Sequence, residues 1–286
     1  MRWVTVQTES GPRACGEIQG EYVDVNAANA DMPSGVRDLL SLGHDGQRRA
    51  WDALARGPVR HDPATAVLLA PVPDPRKIVC VGLNYRDHAE ETGSPIPGEP
   101  ILFSKYPTTL VGHGANVVLP PESTQVDYEA ELVVVVGRGG RRIPRDRAMD
   151  HVGGYAVGHD VSARDWQLNK PGKQWMAGKT FDTFAPVGPA VVTPDEVGDP
   201  HDLGVRLRLN GQTMQDSSTG QLIFKVDELI AYLSTVFTLE PGDLIFTGTP
   251  PGVGMSRKPP VWLKPGDVVE VEIDKLGTLR NPMVAG

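Results

Sequence analysis

Twelve residues, Val126–Gly137 (VDYEAELVVVVG), limit what this chain can fold into more than any other stretch. Four consecutive valines, Val133 to Val136, are β-branched and suit a pleated strand. Side chains on a strand alternate between faces with period two, so Asp127, Glu129 and Glu131 are expected on one side. The unbroken valines leave no polar face, the pattern of a strand covered on both sides. Carboxylates at the front of such a strand either stay in water or meet a cation, because burying one unpaired costs on the order of several kcal/mol.

A second run of similar texture, GYAVGHDVSARD, places Asp160 at the end of the apolar alternation of Tyr155 and Val157. Two glutamates at i and i+2, joined by an aspartate from a neighbouring strand, form a hard-oxygen triad. Such a triad suits Mg²⁺, Mn²⁺ or Ca²⁺ rather than zinc. Mg²⁺ takes few protein carboxylates and leaves positions open for substrate oxygens.

The 286 residues allow one large domain or about two ordinary ones. With 32 Gly and 26 Pro the chain favours turns and short strands over long helices. Residues 1 to about 70 read as short strands (RWVTVQ, ACGEIQG, EYVDV) followed by one or two helices in GVRDLLSLGHDGQRRAWDALARG. APVPDPRK, Ala70 to Lys77, is a candidate linker. Short apolar runs broken by Gly and Pro follow, with an Asn210-Gly211 hairpin signal. A clear helical pattern appears in FKVDELIAYLSTVF, Phe224 to Phe237. The expected class is α+β, mainly β.

The net charge of −8 and pI of about 5.4 argue against a nucleic-acid partner. No apolar run approaches the roughly 20 residues that cross a bilayer, so no membrane partner is expected. The N-terminal residues carry no apolar signal-peptide core, which gives the expectation of a cytoplasmic protein. Cys15 and Cys80 form neither a disulfide framework nor a zinc pattern, and Cys80 in KIVCVGLNY reads as a buried structural thiol. Neither a phosphate loop nor a GxSxG nucleophile elbow is present.

GLNYRDHAEE, DYEAELVVVVG, GYAVGHDVSARDWQ, GKTFDTFAPVGP and LIFTGTPPGVG occur in that order, and the chain closes with GTLRNPM. Over residues 75 to 286 this resembles the fumarylacetoacetate hydrolase superfamily. The resemblance implies a mixed β-sheet roll as catalytic domain over 71–286, with a small N-terminal α/β domain over 1–70. It implies Mg²⁺ or Mn²⁺ on Glu129, Glu131 and Asp160. It also implies a homodimer, for which apolar runs such as YLSTVFTL could supply the interface. His159 departs from the family, which more often carries Asn there beside a ligand.

Of seven histidines, His88 has the best case for chemistry. In a helix, His88 and Glu91 (i, i+3) share a face, and a carboxylate on one ring nitrogen leaves the other as a base. The resemblance implies such a dyad on a short lid helix. Gly93, Pro95, Pro97 and Gly98 follow as its boundary. Lys179 in AGKTFD is a surface lysine on sequence alone, and a substrate-site cation by resemblance. Arg164 and Gln167 fall on positions that contact substrate or lid, the alternative for Arg164 being a structural pair with Asp165 or Asp160. Thr249 falls on a position that meets a substrate carboxylate, or is a turn residue before Pro250-Pro251.

The expected activity is Mg²⁺-dependent hydrolysis of a C–C bond in a small acylpyruvate or β-diketo acid, a 2-oxo acid substrate. Here His88, oriented by Glu91, activates water, and a pyruvate enolate leaves, stabilised by the cation and Lys179. Tautomerase, isomerase or oxaloacetate decarboxylase chemistry at the same site is the alternative. A non-catalytic cation-stabilised module would leave His88 and Glu91 far from the acids.

Overall fold

The computed structural model describes residues 1–286. The strand-forming runs of the first 70 residues become β1 (Arg2–Thr8), β2 (Gly11–Ile18) and β3 (Glu21–Asp24). Helices α1 (Val36–Ser41) and α2 (Gly43–Leu54) follow them. After the proline-rich stretch come β4 (Ile78–Gly82), α3 (Arg86–Thr92), β5 (Ile101–Lys105), β6 (Ala130–Val136) and β7 (Val152–His159). Two short helices, α4 (Arg164–Asn169) and α5 (Trp175–Lys179), lead into β8 (Ala185–Val192). The remainder is β9 (Gly204–Leu209), β10 (Gln212–Ser218), α6 (Val226–Val236), β11 (Leu244–Phe246), β12 (Val268–Ile273) and β13 (Gly277–Ala285). The mainly β, α+β class expected from the sequence is the class observed.

A large mixed sheet runs β3-β2-β1-β8-β7-β6-β11-β4-β5, with β6 and β7 at its centre. β1 pairs antiparallel with β8, Arg2 opposite Val192, so the N-terminal strands continue the sheet that carries the valines. Ala70 and Val72, in the stretch expected to be a linker, are buried. β11 and β4 run parallel, and β4 and β5 antiparallel. A second sheet of five strands, β10-β9-β12-β13 and Val117–Leu119, packs beside it. Asn210 and Gly211 turn the β9–β10 hairpin with φ of 52° and 81°, the pair of positive values a tight turn between right-twisted strands requires.

All seven residues of β6 are buried. Leu132, Val134 and Val136 join one apolar cluster with Tyr155 and Val157. Val133 and Val135 join another on the opposite face, with Ala156 and Phe246. The valine run is thus a central strand buried on both faces, and Glu131 is its second residue.

The strand expected to run unbroken from Val126 is in two pieces. Val126–Asp127 pairs with Ser162–Ala163, and β6 starts at Ala130. The cause is Asp127. Its carboxylate accepts the amides of Tyr128 (2.8 Å), Gly254 (2.6 Å) and Met255 (3.1 Å), diverting backbone donors from ladder pairing.

Candidate active site

The acids meet because β6 and β7 are paired neighbours. Ala130 lies opposite His159, and the Asp160 amide donates to the Glu129 carbonyl at 2.9 Å. Carboxylate oxygens of Glu129, Glu131 and Asp160 all lie within 4.8 Å of one another, and all three residues are buried. The water-exposed reading of these glutamates is excluded.

Three buried cations hold the cluster together. Lys179 Nζ donates to Glu129 Oε2 at 2.7 Å and to Asp160 Oδ2 at 2.9 Å. Arg164 donates to Asp127 Oδ2 at 2.8 Å, to Glu129 Oε1 at 2.7 Å and to Gln167 Oε1 at 2.9 Å. The expected structural alternative for Arg164, a pair with Asp165 or Asp160, is therefore corrected. Asp165 is instead held by Ser123 Oγ at 2.6 Å, and Asp127, coming from the facing short strand, lies where the guanidinium can bond two carboxylates at once. Lys179 is 2 % exposed, which overturns the surface reading.

The third cation, Lys105, went unnoticed in the sequence. Its Nζ donates to the carbonyls of Val161, Phe184 and Lys179, and stands 2.7 Å from Asp160 Oδ1 as an ion pair without hydrogen-bond alignment. The available signal was position: Lys105 closes β5, two residues after Phe103 and so on the same face. Gln215 was also missed. It accepts from the Ala130 amide at 2.9 Å and donates to Thr249 Oγ1 at 2.9 Å, tying the start of β6 to the 247–252 loop. His159 is buried, and no protein group partners either ring nitrogen. Burial, then Lys105, bring its pKa down to about 3, so the ring is neutral.

Ionisation differs across the triad. Burial opposes charge on Glu129, but Lys179 and Arg164 outweigh it and bring the pKa to about 2. Glu131 accepts only the Gly248 amide, at 2.7 Å, and forms no ion pair. Burial lifts its carboxyl well above the usual range, with Asp160 and Glu129 adding to the rise. For Lys179 burial lowers the pKa, yet Asp160 and Glu129 prevail and raise it. Four carboxyl groups (Asp127, Glu129, Glu131 and Asp160) face three cations, which leaves Glu131 without a cationic partner. That imbalance, centred on Glu131 and set among hard oxygens, fits a divalent cation.

The expected helix over His88 forms. His88 Nδ1 lies 2.9 Å from Glu91 Oε2, and Glu91 Oε1 accepts the Gly252 amide at 2.8 Å. Burial opposes ionisation of Glu91, and the bonds to His88 and Gly252 overcome it and lower the pKa. Arg86 donates to the Leu222 carbonyl at 2.8 Å, and Ser217 Oγ donates to Asp87, which fastens α3 over the site. His88, Glu129, Glu131, Arg164, Gln167, Lys179 and Thr249 line one cavity of about 220 Å³, while Asp160 and Glu91 are bonded to its lining residues Lys179 and His88. Tyr106 is half exposed and not among the cavity residues. The separation that a non-catalytic module required between His88 and the acids is not observed.

A buried cluster of carboxyl groups that could hold a divalent cation thus lies in one cavity with a histidine fastened by Glu91. Residues 77–284 match the family described as fumarylacetoacetate (FAA) hydrolase C-terminal, and the chain belongs to that family. "Oxaloacetate tautomerase fahd2, mitochondrial" of Xenopus laevis is 49% identical over 288 residues, 99% of this chain and 90% of that protein. The fumarylacetoacetate hydrolase from psychrophilic Exiguobacterium antarcticum superposes with a TM-score of 0.86 at 34% identity, covering 100% of both chains. Maleylpyruvate hydrolase from Sphingobium sp. SYK-6, in complex with manganese(II) and pyruvate, superposes with a TM-score of 0.82 at 32% identity, again over 100% of both. The expectation of a cytoplasmic location is corrected: the Xenopus laevis relative carries the word mitochondrial in its name, and the missing apolar leader core does not decide location.

Proposed function

We propose that this chain is a divalent-cation-dependent tautomerase of small 2-oxo acids, with oxaloacetate the first substrate to test. This replaces hydrolysis as the main reading. The observation that carries it is the near-full-length similarity to a protein named oxaloacetate tautomerase. The site's groups are consistent with it, because keto–enol exchange needs one base near C3 and one proton donor near the 2-oxo oxygen, and no nucleophilic water.

Glu91 holds Nδ1 of His88, which leaves Nε2 to take the C3 proton. Lys179 has three N–H groups, of which two serve Glu129 and Asp160, so one remains for the oxygen where charge develops. Gln167 and Thr249 offer polar atoms that orient the substrate. Glu129, Glu131 and Asp160 would hold Mg²⁺ or Mn²⁺, whose part is to polarise the 2-oxo carbonyl as a Lewis acid.

Hydrolysis of a C–C bond is the second reading, supported by the similarity to maleylpyruvate hydrolase. The homodimer is likewise a proposal. Leu233 and Leu239 of the YLSTVFTL run are buried in the subunit, so Val236 is what that run offers a partner. Exchange of the C3 hydrogens of oxaloacetate in D₂O, followed by NMR, tests the function. The proposal expects exchange faster than in buffer with all carbon retained; appearance of cleavage products instead of exchange favours the hydrolase.

A further inference from the structure

The charged end of the cavity gives way at once to an apolar one. Lys179 Nζ stands 5.1 Å from the centroid of the Phe103 ring. Phe103 meets Trp175 edge to face, with centroids 5.7 Å apart and planes at 68°. Trp175 sits against Gly82, where a Cβ would fall 2.2 Å from a ring carbon, so only glycine leaves room for the indole. Ile101 and Leu168 continue the wall.

Within the cavity the wall carries no cation of its own; Lys173 stands with Ile101, Phe103 and Trp175 on the exposed outer side. The lysine and arginine that line the cavity are already committed, Lys179 to Glu129 and Asp160 and Arg164 to Asp127 and Glu129. A carboxylate projecting toward the wall would lose water against carbon, while the cavity's own lysine and arginine each already serve two carboxylates. An aromatic ring there would bury its faces and edges against two aromatic side chains.

We infer that the site takes 2-oxo acids bearing an aryl group on C3, and interconverts their keto and enol forms. The inference rests on the tautomerase reading for its chemistry and on the wall for its specificity. One proton leaves C3 to His88, the C2=C3 bond forms as the carbonyl pair moves to oxygen, and that oxygen takes one proton. No other bond breaks, and no redox partner is needed.

The test has a catalytic arm and a binding arm, both on the Mg²⁺-loaded protein. The catalytic arm follows enol–keto exchange of phenylpyruvate and of oxaloacetate. The binding arm measures oxanilate and oxamate by calorimetry; both carry the 2-oxo acid head without a C3 hydrogen, and only oxanilate has the ring. The expected results are accelerated exchange of phenylpyruvate and oxanilate binding at least about tenfold tighter than oxamate. Trp175→Ala should lower kcat/KM for phenylpyruvate at least about tenfold more than for oxaloacetate. Leu168→Arg, at a partly exposed position, supplies a free cation and should shift preference the other way. Exchange of oxaloacetate with oxanilate no tighter than oxamate overturns the inference and leaves the tautomerase reading standing. Tight, Trp175-dependent oxanilate binding with neither acid exchanged overturns the tautomerase reading and supports the aryl site.

Discussion

Lys179 and Glu129 are joined by a buried contact of 2.7 Å, and the same ammonium reaches Asp160 at 2.9 Å. The cation both neutralises the acids that hold the centre of the sheet together and faces the cavity. Removing it should therefore damage fold and chemistry at once. Lys179→Met leaves two buried carboxylates short of a partner and is expected to cost about 3–5 kcal/mol of stability in a denaturant titration. Activity should fall on the order of 10²- to 10³-fold, as when a single charge-stabilising donor is lost.

Glu129 and Glu131 are two residues apart and should respond oppositely to neutralisation. Glu129→Gln weakens the bonds from Arg164 and Lys179 and should destabilise the protein. Glu131→Gln relieves a carboxyl that has no ion pair, and should leave the metal-free protein at least as stable. Both variants should lose the rise in melting temperature that Mg²⁺ or Mn²⁺ gives the wild type through binding to the native state. Thermal scans with and without the ion check this.

The His88–Glu91 dyad predicts a graded loss. His88→Ala should reduce kcat by about 10²- to 10⁴-fold, the usual contribution of a positioned general base. Glu91→Gln keeps an oxygen for the Gly252 amide but gives up the charge that favours the reactive tautomer. It should lower kcat by less than His88→Ala, with KM little changed. A steady-state comparison of the two variants decides it.

Cys15 predicts an alkaline weakness. Burial, with a smaller push from Asp24, raises its thiol from 9.0 to about 12. Between those values the unfolded chain has released the proton that the folded chain retains, so unfolding becomes easier as pH rises. The stability this thiol contributes is intact below about pH 9 and is lost progressively toward pH 12. Urea midpoints across that range should fall, and Cys15→Ala should flatten the fall. Thiol reagents should reach Cys15 and Cys80 only on unfolding, since both are buried.

The triad was readable because two glutamates at i and i+2 stand at the mouth of a valine strand covered on both faces, although Glu129 itself lies just before that strand begins. The His88–Glu91 pair was readable because helical spacing is local. The partners of Arg164 were not readable, since its bonds to Asp127 and Glu129 join residues 37 and 35 positions away. Lys105 escaped for the same reason: its four partners come from loops and the end of α5, all after residue 159, and in sequence it closes an ordinary apolar strand. The sheet crossing from β1 to β8 links Arg2 to Val192, a pairing that no local pattern announces.

The central claim is that a divalent cation on the buried acids serves enol–keto exchange rather than carbon–carbon cleavage. The most direct measurement follows the ultraviolet absorbance of enol-oxaloacetate while pyruvate is assayed from an acylpyruvate, each with Mg²⁺ and with a chelator. The account predicts fast loss of enol absorbance that the chelator abolishes, with little pyruvate released. Metal-dependent pyruvate release with no acceleration of enol–keto exchange would contradict it.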